Sequence, residues 1–533
     1  MTKTEKNPKP ELIEQLPETR RKLSPIRVII AALLLIGIGY GSGYGWNWIQ
    51  DTRSVALFRP WFASYVDVTA KPTYPFEQVG TTHTPHVVLS FIVSSSEEPC
   101  TPTWGNYFTL KEAGEVLDLD RRIARLQQQD GSVAVSFGGL LNDELALKCT
   151  DLDKLAQAYQ AVISRYNLDT IDLDLEGEEL KDADSSKRRA QALAKVQKQR
   201  RNEGKSLAIW LTLPVAPQGL TEDGTNAVTA FLTNGVDLAG VNVMTMDYGG
   251  SKEHDETMLE ASQKALTETH RQLGILYSQA GIHLLPKTLW TKIGATPMIG
   301  QNDVLDEVFT IDDAKGLNLF AREKGIGRMS MWSANRDTPC GENYVDVTVV
   351  SDSCSGVTTE RLSFAIVLSD QFTGNLSQNA QIITIEDPAS SEEQPDDPEK
   401  SPYQIWNEDG AYLAGTKVVW KRNVYEAKWW TKGEQPDNPV LQSWQTPWQL
   451  IGPVLPGEKP IPQSTLPPGT YPQWSGHDAY DAGARILFDG IPYQAKWWTQ
   501  GDSPAAAASN ADSSPWIALT QKEIAKILEE LDR

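Results

Sequence analysis

Leu168-Asp169-Thr170-Ile171-Asp172-Leu173-Asp174-Leu175-Glu176 is the most informative run in the chain. Asp172, Asp174 and Glu176 alternate with Ile171, Leu173 and Leu175. Alternate side chains of a β-strand share a face, so this run reads as a strand with three carboxyls on one side and three aliphatics on the other. Packing like charges this closely is unfavourable unless protons are shared or a pKa is raised. A carboxylic acid that keeps its proton near neutral pH can act as a general acid. The same spacing also suits a solvated strand face or a calcium loop.

Around this strand, residues 57–372 alternate short apolar runs with longer amphipathic ones. Strand candidates are Tyr65–Val68, His86–Phe91, Val133–Phe137, Thr170–Leu175, Leu207–Leu213, Gly240–Met246, Leu284–Leu289 and Met329–Trp332. Helical patterns fill most of the gaps, as at Asp151–Tyr166 and Ser186–Arg201. Strands alternating with helices at this density predict an α/β fold, a (β/α)8 TIM barrel. Chemistry in such a barrel sits at the C-terminal ends of the strands, where Glu176 falls.

The chain has 533 residues, 17 of them Trp, and a net charge of −21. No basic patch balances that charge, which argues against a nucleic-acid partner. No Cys or His cluster has zinc spacing, so no metal and no cofactor is expected. At the N-terminus, residues 1–27 carry Lys3, Lys6, Lys9, Arg20, Arg21, Lys22 and Arg27, and 28–49 is an uncharged run. That run is long enough to cross a bilayer, with the basic flank inside and Trp46 and Trp48 at the far interface. An uncleaved inner-membrane anchor with the remainder exported is the favoured reading, and secretion after cleavage is the alternative. Cys100, Cys149, Cys340 and Cys354 all follow the run, and an exported chain with four cysteines allows two disulfides in three possible pairings. Cys340 with Cys354 closes a short loop.

Composition changes after residue 372. Residues 373–402 read as an acidic, Pro-rich linker, and 454–471 as a second linker; the stretch Pro453–Tyr471 holds six prolines. Between and after them, Tyr425-Glu-Ala-Lys-Trp-Trp-Thr-Lys-Gly433 recurs as Tyr493-Gln-Ala-Lys-Trp-Trp-Thr-Gln-Gly501, 68 residues on. The segments 403–453 and 472–518 therefore read as two small β modules, followed by a short amphipathic helix within 519–533.

The central strand is similar to the catalytic strand of glycoside hydrolase family 18, the chitinase family, whose signature is Asp-Gly-x-Asp-x-Asp-x-Glu. Ser136-Phe137-Gly138-Gly139 resembles that family's third strand, Met244-Thr245-Met246-Asp247-Tyr248 its sixth, and Trp332 the tryptophan flooring its sugar site. Thr170, Leu175 and Met246 depart from the pattern. The resemblance implies an endo-chitinase that works by substrate-assisted retention, an exception to the usual two-carboxylate scheme. Glu176 would be the acid and later the base. Asp174 would orient the acetamide, and Asp172 would share a proton with Asp174. Trp332, Asp247, Tyr248 and Met244 would line the sugar site. Glu178 and Glu179 read as loop-surface charges.

The two modules resemble chitin-binding modules of carbohydrate-binding families 5 and 12. Their binding aromatics would be drawn from Trp429, Trp430, Trp497 and Trp498, with one of each pair partly buried. Trp406 and Trp474 suit either binding or core. The implied partner is chitin or another N-acetylglucosamine polymer. Two other readings are an endo-β-N-acetylglucosaminidase acting on glycoprotein or peptidoglycan glycans, and a non-catalytic lectin-like protein.

Overall fold

The computed structural model describes residues 58–79, 85–341, 350–359, 362–382, 384, 396–455, 457–460, 466–467, 469–504 and 514–531. The expected basic tail and membrane anchor, 1–27 and 28–49, lie outside the described residues. Among the described residues, no helix is long and apolar enough to cross a membrane.

Eight parallel strands form a closed barrel. β1 runs in two pieces, Trp61–Phe62 and Ser64–Asp67; β2 is His86–Ser94, β3 Ser132–Gly138, β4 Thr170–Asp174, β5 Ala208–Ala216, β6 Leu238–Met244, β7 Ile293–Thr296 and β8 Arg328–Met329. Each strand pairs with the next, and the ring closes through β1, whose first piece pairs with β8 and whose second pairs with β2. Closure leaves no parallel edge exposed.

Helices cover the ring: α1 Leu119–Gln127, α2 Leu152–Arg165, α3 Ala183–Asn202, α4 Glu222–Thr233, α5 Met258–Gln279 and α6 Ile311–Lys324. Their starts are written locally. Asp151 and Asp182 accept from the first-turn N–H groups of α2 and α3, and Thr257 with Glu260 and Thr310 with Asp313 form capping boxes on α5 and α6. The apolar stripe of α2, with Leu155, Tyr159, Val162 and Ile163, faces the outside of the strands.

One expected strand is corrected. Leu284–Leu289 is not a strand, because Pro286 sits at the first position of a short helix, Pro286–Thr291, where its missing N–H costs nothing. The seventh strand is Ile293–Thr296, a few residues later. The expected linker over 373–402 also begins later than read. Thr373 bridges to Trp61, Leu376 fills the barrel interior and Thr384 accepts from Lys292 Nζ at 2.6 Å. Cys100 pairs with Cys149, and Cys340 with Cys354.

Inward side chains stack in layers, as expected for alternating residues of barrel strands. Trp61 and Trp210 meet edge to face at 5.6 Å near the floor. Gly240 on β6 makes room for them, since a Cβ there would lie 2.4 Å from the Trp210 ring. Above come Tyr65, Ser136, Asp172, Thr212 and Asn242, and above those Asp174 and Met244, each two residues further along its strand, with Trp332 three residues past the end of β8.

The two modules share one architecture. Strands Lys417–Trp420, Asn423–Ala427 and Trp448–Pro453 form a sheet in the first; Arg485–Phe488, Ile491–Ala495 and Trp516–Ala518 form its counterpart in the second, each starting 68 residues later. Trp448 and Trp516 occupy equivalent cores. Their indoles donate to Glu434 O and Asp502 O, both at 2.8 Å, and pack edge-on against Tyr412 and Tyr480. The first module also docks on the barrel: Arg271 of α5 donates to the carbonyls of Val440 and Leu441 at 2.7 and 2.8 Å.

Candidate active site

β4 carries Asp172 and Asp174 inward, and ends there. Glu176 stands two residues beyond, at the start of the short helix Gly177–Lys181. The register fixes their neighbours, with Asp172 opposite Ser136 of β3 and Asp174 opposite Thr212 of β5.

Asp172 is fully buried and held by four donors. Tyr65 Oη and Ser136 Oγ donate to Oδ2 at 2.9 and 2.8 Å; Thr212 Oγ1 donates to Oδ1 at 2.7 Å, and Arg328 Nη1 donates to the same oxygen. Arg328 reaches in from β8, also donating to Tyr65 Oη at 2.9 Å and to Ser330 Oγ at 2.9 Å. Its guanidinium lies over the rings of Trp61, Tyr65 and Trp210. Asn242 closes the layer by donating to Thr212 Oγ1 at 3.0 Å and accepting from Thr296 Oγ1 at 2.9 Å.

Asp174 is the contrasting case. It is 6% exposed, and its Oδ1 is buried with no hydrogen-bond partner. Burial drives its pKa well above the usual carboxylate range, and the charges of Glu176, Asp172 and Glu179 add to this against the opposing pull of Arg328. Glu176 is pushed up to about 7, first by burial and then by Asp247 and Asp303. Two adjacent acids of the trio therefore hold protons far above the ordinary range, as proton-transfer chemistry at neutral pH requires.

Trp332 continues the inward row of β8. It stacks on Phe91 at 5.5 Å and meets Tyr65 edge-on at 6.1 Å. Asp247, half-buried just past β6, stands at φ +49 and accepts from Val304 N at 3.0 Å. Met244 is buried at the end of β6, on the same strand face as Asn242. Tyr248 is placed differently from the expectation. Past the left-handed bend at Asp247 its ring enters the core, 6% exposed, and its hydroxyl meets Ser262 of α5 at 3.1 Å. It does not line the site.

Glu179 also corrects the sequence reading. It is buried, accepts from Glu144 N at 2.8 Å and makes a long contact of 3.4 Å with Glu176 N. Burial, with the charge of Glu144, pushes it up to about 8. Glu144 itself is neutralised by Arg189 at 2.8 Å and bonded by Tyr159. Gly138 makes this packing possible. At φ +99, a Cβ there would sit 2.1 Å from Asp174 O and 2.8 Å from Glu179 Oε1. Glu178 is the exposed charge expected. Sequence reading did not single out Arg328, Tyr65, Glu144, Arg189 or Asp303 as site residues. Nothing local marks them; only the closed ring brings them to β4.

In the modules, Trp429 is exposed and Trp430 half-buried, but Trp497 and Trp498 are both exposed, at 45% and 58%. The expectation of one partly buried ring per pair therefore fails in the second module, where both rings stay on the surface. Lys428 and Lys496 lie over Trp429 and Trp497 at 4.8 and 4.6 Å. Trp406 and Trp474 pack edge-on against Trp420 and Phe488 and are core-side.

Comparison with known proteins agrees with this geometry. A profile for glycosyl hydrolases family 18 matches residues 61–289, and one for carbohydrate-binding module family 5/12 matches 473–516. The chain is 36% identical over 292 residues to a probable bifunctional chitinase/lysozyme of Escherichia coli (strain K12), covering 53% of this chain and 31% of that protein. It is 34% identical over 288 residues to Endochitinase 11 of Metarhizium anisopliae, covering 52% of each. It thus spans from about a third to about half of these curated relatives. A solved structure of active domain 2 of the chitinase from Pyrococcus furiosus superposes with TM-score 0.50 and 29% identity, covering 60% of this chain and 97% of that one. Residues 61–289 thus carry a domain of glycosyl hydrolases family 18, and residues 473–516 a carbohydrate-binding module of family 5/12.

Proposed function

We propose that the protein is an endo-chitinase that hydrolyses β-1,4 bonds between N-acetylglucosamine units with retention, assisted by the substrate's own acetamide. The observation that carries this reading is the split within the carboxyl trio. Asp172 is saturated with donors, while Asp174 and Glu176 are raised by burial and by each other's neighbours. Glu176, half-buried at the strand end, donates its proton to the glycosidic oxygen. Asp174, buried with an open lone pair, receives the acetamide N–H and holds the carbonyl oxygen against the anomeric carbon. The oxazolinium ion so formed is stabilised by Asp174, and Glu176 then takes a proton from the attacking water. Trp332 supplies an apolar floor for the ring, and Asp247 a polar wall beside Glu176. The relatives named chitinase and endochitinase support the substrate class.

The modules hold the polymer. Flat rings left in solvent suit the C–H faces of pyranose sugars, and Trp497, Trp498 and Trp429 have that exposure. Export, behind an N-terminal anchor or after its cleavage, is the location that an external polymer favours, and the two disulfide pairs accord with an oxidising compartment.

The test is release of soluble oligosaccharides from colloidal chitin, with peptidoglycan as the comparison substrate. Glu176→Gln lowers turnover by roughly 10²–10⁴-fold, the usual value of a general acid, and leaves chitin pull-down unchanged. A variant with near-normal turnover would sink the assignment.

A further inference from the structure

We propose that Trp444, on the loop that fastens the first module to the barrel, stacks on a sugar of an insoluble N-acetylglucosamine polymer, so that this module grips the polymer at a place fixed to the barrel. This rests on the chitinase reading above and adds a ring that the second module does not share. The modules are equally long from Tyr425 to Trp448 and from Tyr493 to Trp516, so each position has a counterpart 68 residues on. The frame is common: Ala-Lys-Trp-Trp-Thr precedes the loop and Pro-Trp follows it. Between them the sequences part. Residues 437–445 read Asp-Asn-Pro-Val-Leu-Gln-Ser-Trp-Gln, where 505–513 read Ala-Ala-Ala-Ala-Ser-Asn-Ala-Asp-Ser. Trp444 stands where the second module has Asp512, and Leu441 where it has Ser509.

The differing loop has two faces. On one, Arg271 spreads its guanidinium over the carbonyls of Val440 and Leu441, Gln272 donates to Leu441 O at 3.0 Å, and the Leu441 side chain packs on the barrel core. Glu268 steadies Arg271 at 2.9 Å. Within the module, Asp437 accepts from Trp420 Nε1 at 2.7 Å and pairs with Lys421 at 2.9 Å. On the other face, Trp444 is 62% exposed. Lys428 sets its place. The ammonium lies over the Trp429 ring at 4.8 Å and donates to the carbonyl of Ser443, the residue before Trp444. Lys428 N also donates to Pro447 O at 2.7 Å. Trp444 therefore leaves the backbone beside Trp429, which is exposed as well. Two neighbouring flat rings suit the C–H faces of sugars in one polymer chain. A loop tied at this many points holds its ring with little ordering left to lose on binding.

The experiment uses the full chain as wild type, Trp444→Ala, Trp444→Tyr, Arg271→Ala and Trp444→Ala/Arg271→Ala. It reads the rate of sugar release from crystalline chitin divided by the rate on chitohexaose, with sedimentation velocity alongside. A binding surface fixed to the barrel raises the local concentration of polymer, so Trp444→Ala is expected to lower that ratio about fivefold. Trp444→Tyr keeps a flat ring and recovers at least about half of the wild-type ratio. Arg271→Ala unfastens the loop and lowers the ratio about as far as Trp444→Ala. Ring and fastening act as one device, so the double variant stays within about twofold of either single variant. Trp444→Ala with the wild-type ratio would overturn the proposal, and so would Trp444→Tyr no better than Trp444→Ala. A double variant whose losses multiply overturns it too, because the ring would then act without the fastening. A changed sedimentation coefficient in Trp444→Ala with an unchanged ratio makes the ring a contact between copies, and the proposal falls. If Arg271→Ala does not fold, Leu441→Ser, the second module's own residue there, takes its place under the same expectations. A wild type that releases nothing from either substrate sinks the functional reading and this proposal together, whereas an active wild type with contrary variants sinks this proposal alone.

Discussion

The barrel cleft and the second module present opposite kinds of surface. In the cleft, carboxyls are stripped of water and packed until two of them hold protons they would lose in solvent. On the module, the rings of Trp497 and Trp498 are left exposed to water. The first surface gains its power from burial and the second from exposure. Chemistry therefore depends on contacts distant in sequence, while adhesion depends on a short local motif.

The comparison can be broken first in the cleft. Asp174→Asn removes the carboxyl proposed to hold the acetamide and to ionise against the oxazolinium ion, and kcat is expected to fall about 10²–10³-fold with chitin adsorption intact. Equal loss of adsorption would mean that the two surfaces are not separate. The pH profile gives the next effect. Glu176 must be protonated to act as acid, and it is pushed up to about 7. Turnover should therefore hold below that value and fall about tenfold per unit above it. Asp303→Asn removes one of the charges that raise Glu176, so the alkaline limb should move to lower pH; a limb that stays in place would remove Asp303 from the site.

The modules give the smaller effect, and sharpen the comparison within the repeat. Trp497→Ala/Trp498→Ala removes two exposed rings and should weaken adsorption to insoluble chitin about tenfold without changing turnover on soluble oligosaccharides. Trp430 occupies the place of Trp498 but is half-buried. Trp430→Ala should therefore cost more stability than Trp498→Ala, by roughly 1–2 kcal/mol of lost apolar burial, and thermal melts of the two variants decide.

Much of this was legible in the sequence. The two-residue alternation of Asp172, Asp174 and Glu176 placed β4 and its polar face, and the 68-residue repeat gave both modules. What stayed hidden was set by closure. Arg328 lies 156 residues from Asp172 in sequence and reaches it only because β8 and β4 belong to one ring. Glu179 looked like surface charge because nothing in its own segment shows that Gly138 opens a slot for it. Tyr248 was expected at the sugar because it follows Asp247; the left-handed turn at Asp247 sends it into the core instead. Leu284–Leu289 had a strand's composition, and Pro286 made it the start of a helix.

The central claim is that the substrate's acetamide, held by Asp174, attacks first, and that water then attacks the same face the leaving sugar occupied. Time-resolved proton NMR of chitohexaose cleavage in the first minutes tests it most directly. The account predicts that the new reducing ends appear as the β anomer before mutarotation. Initial appearance of the α anomer would contradict it.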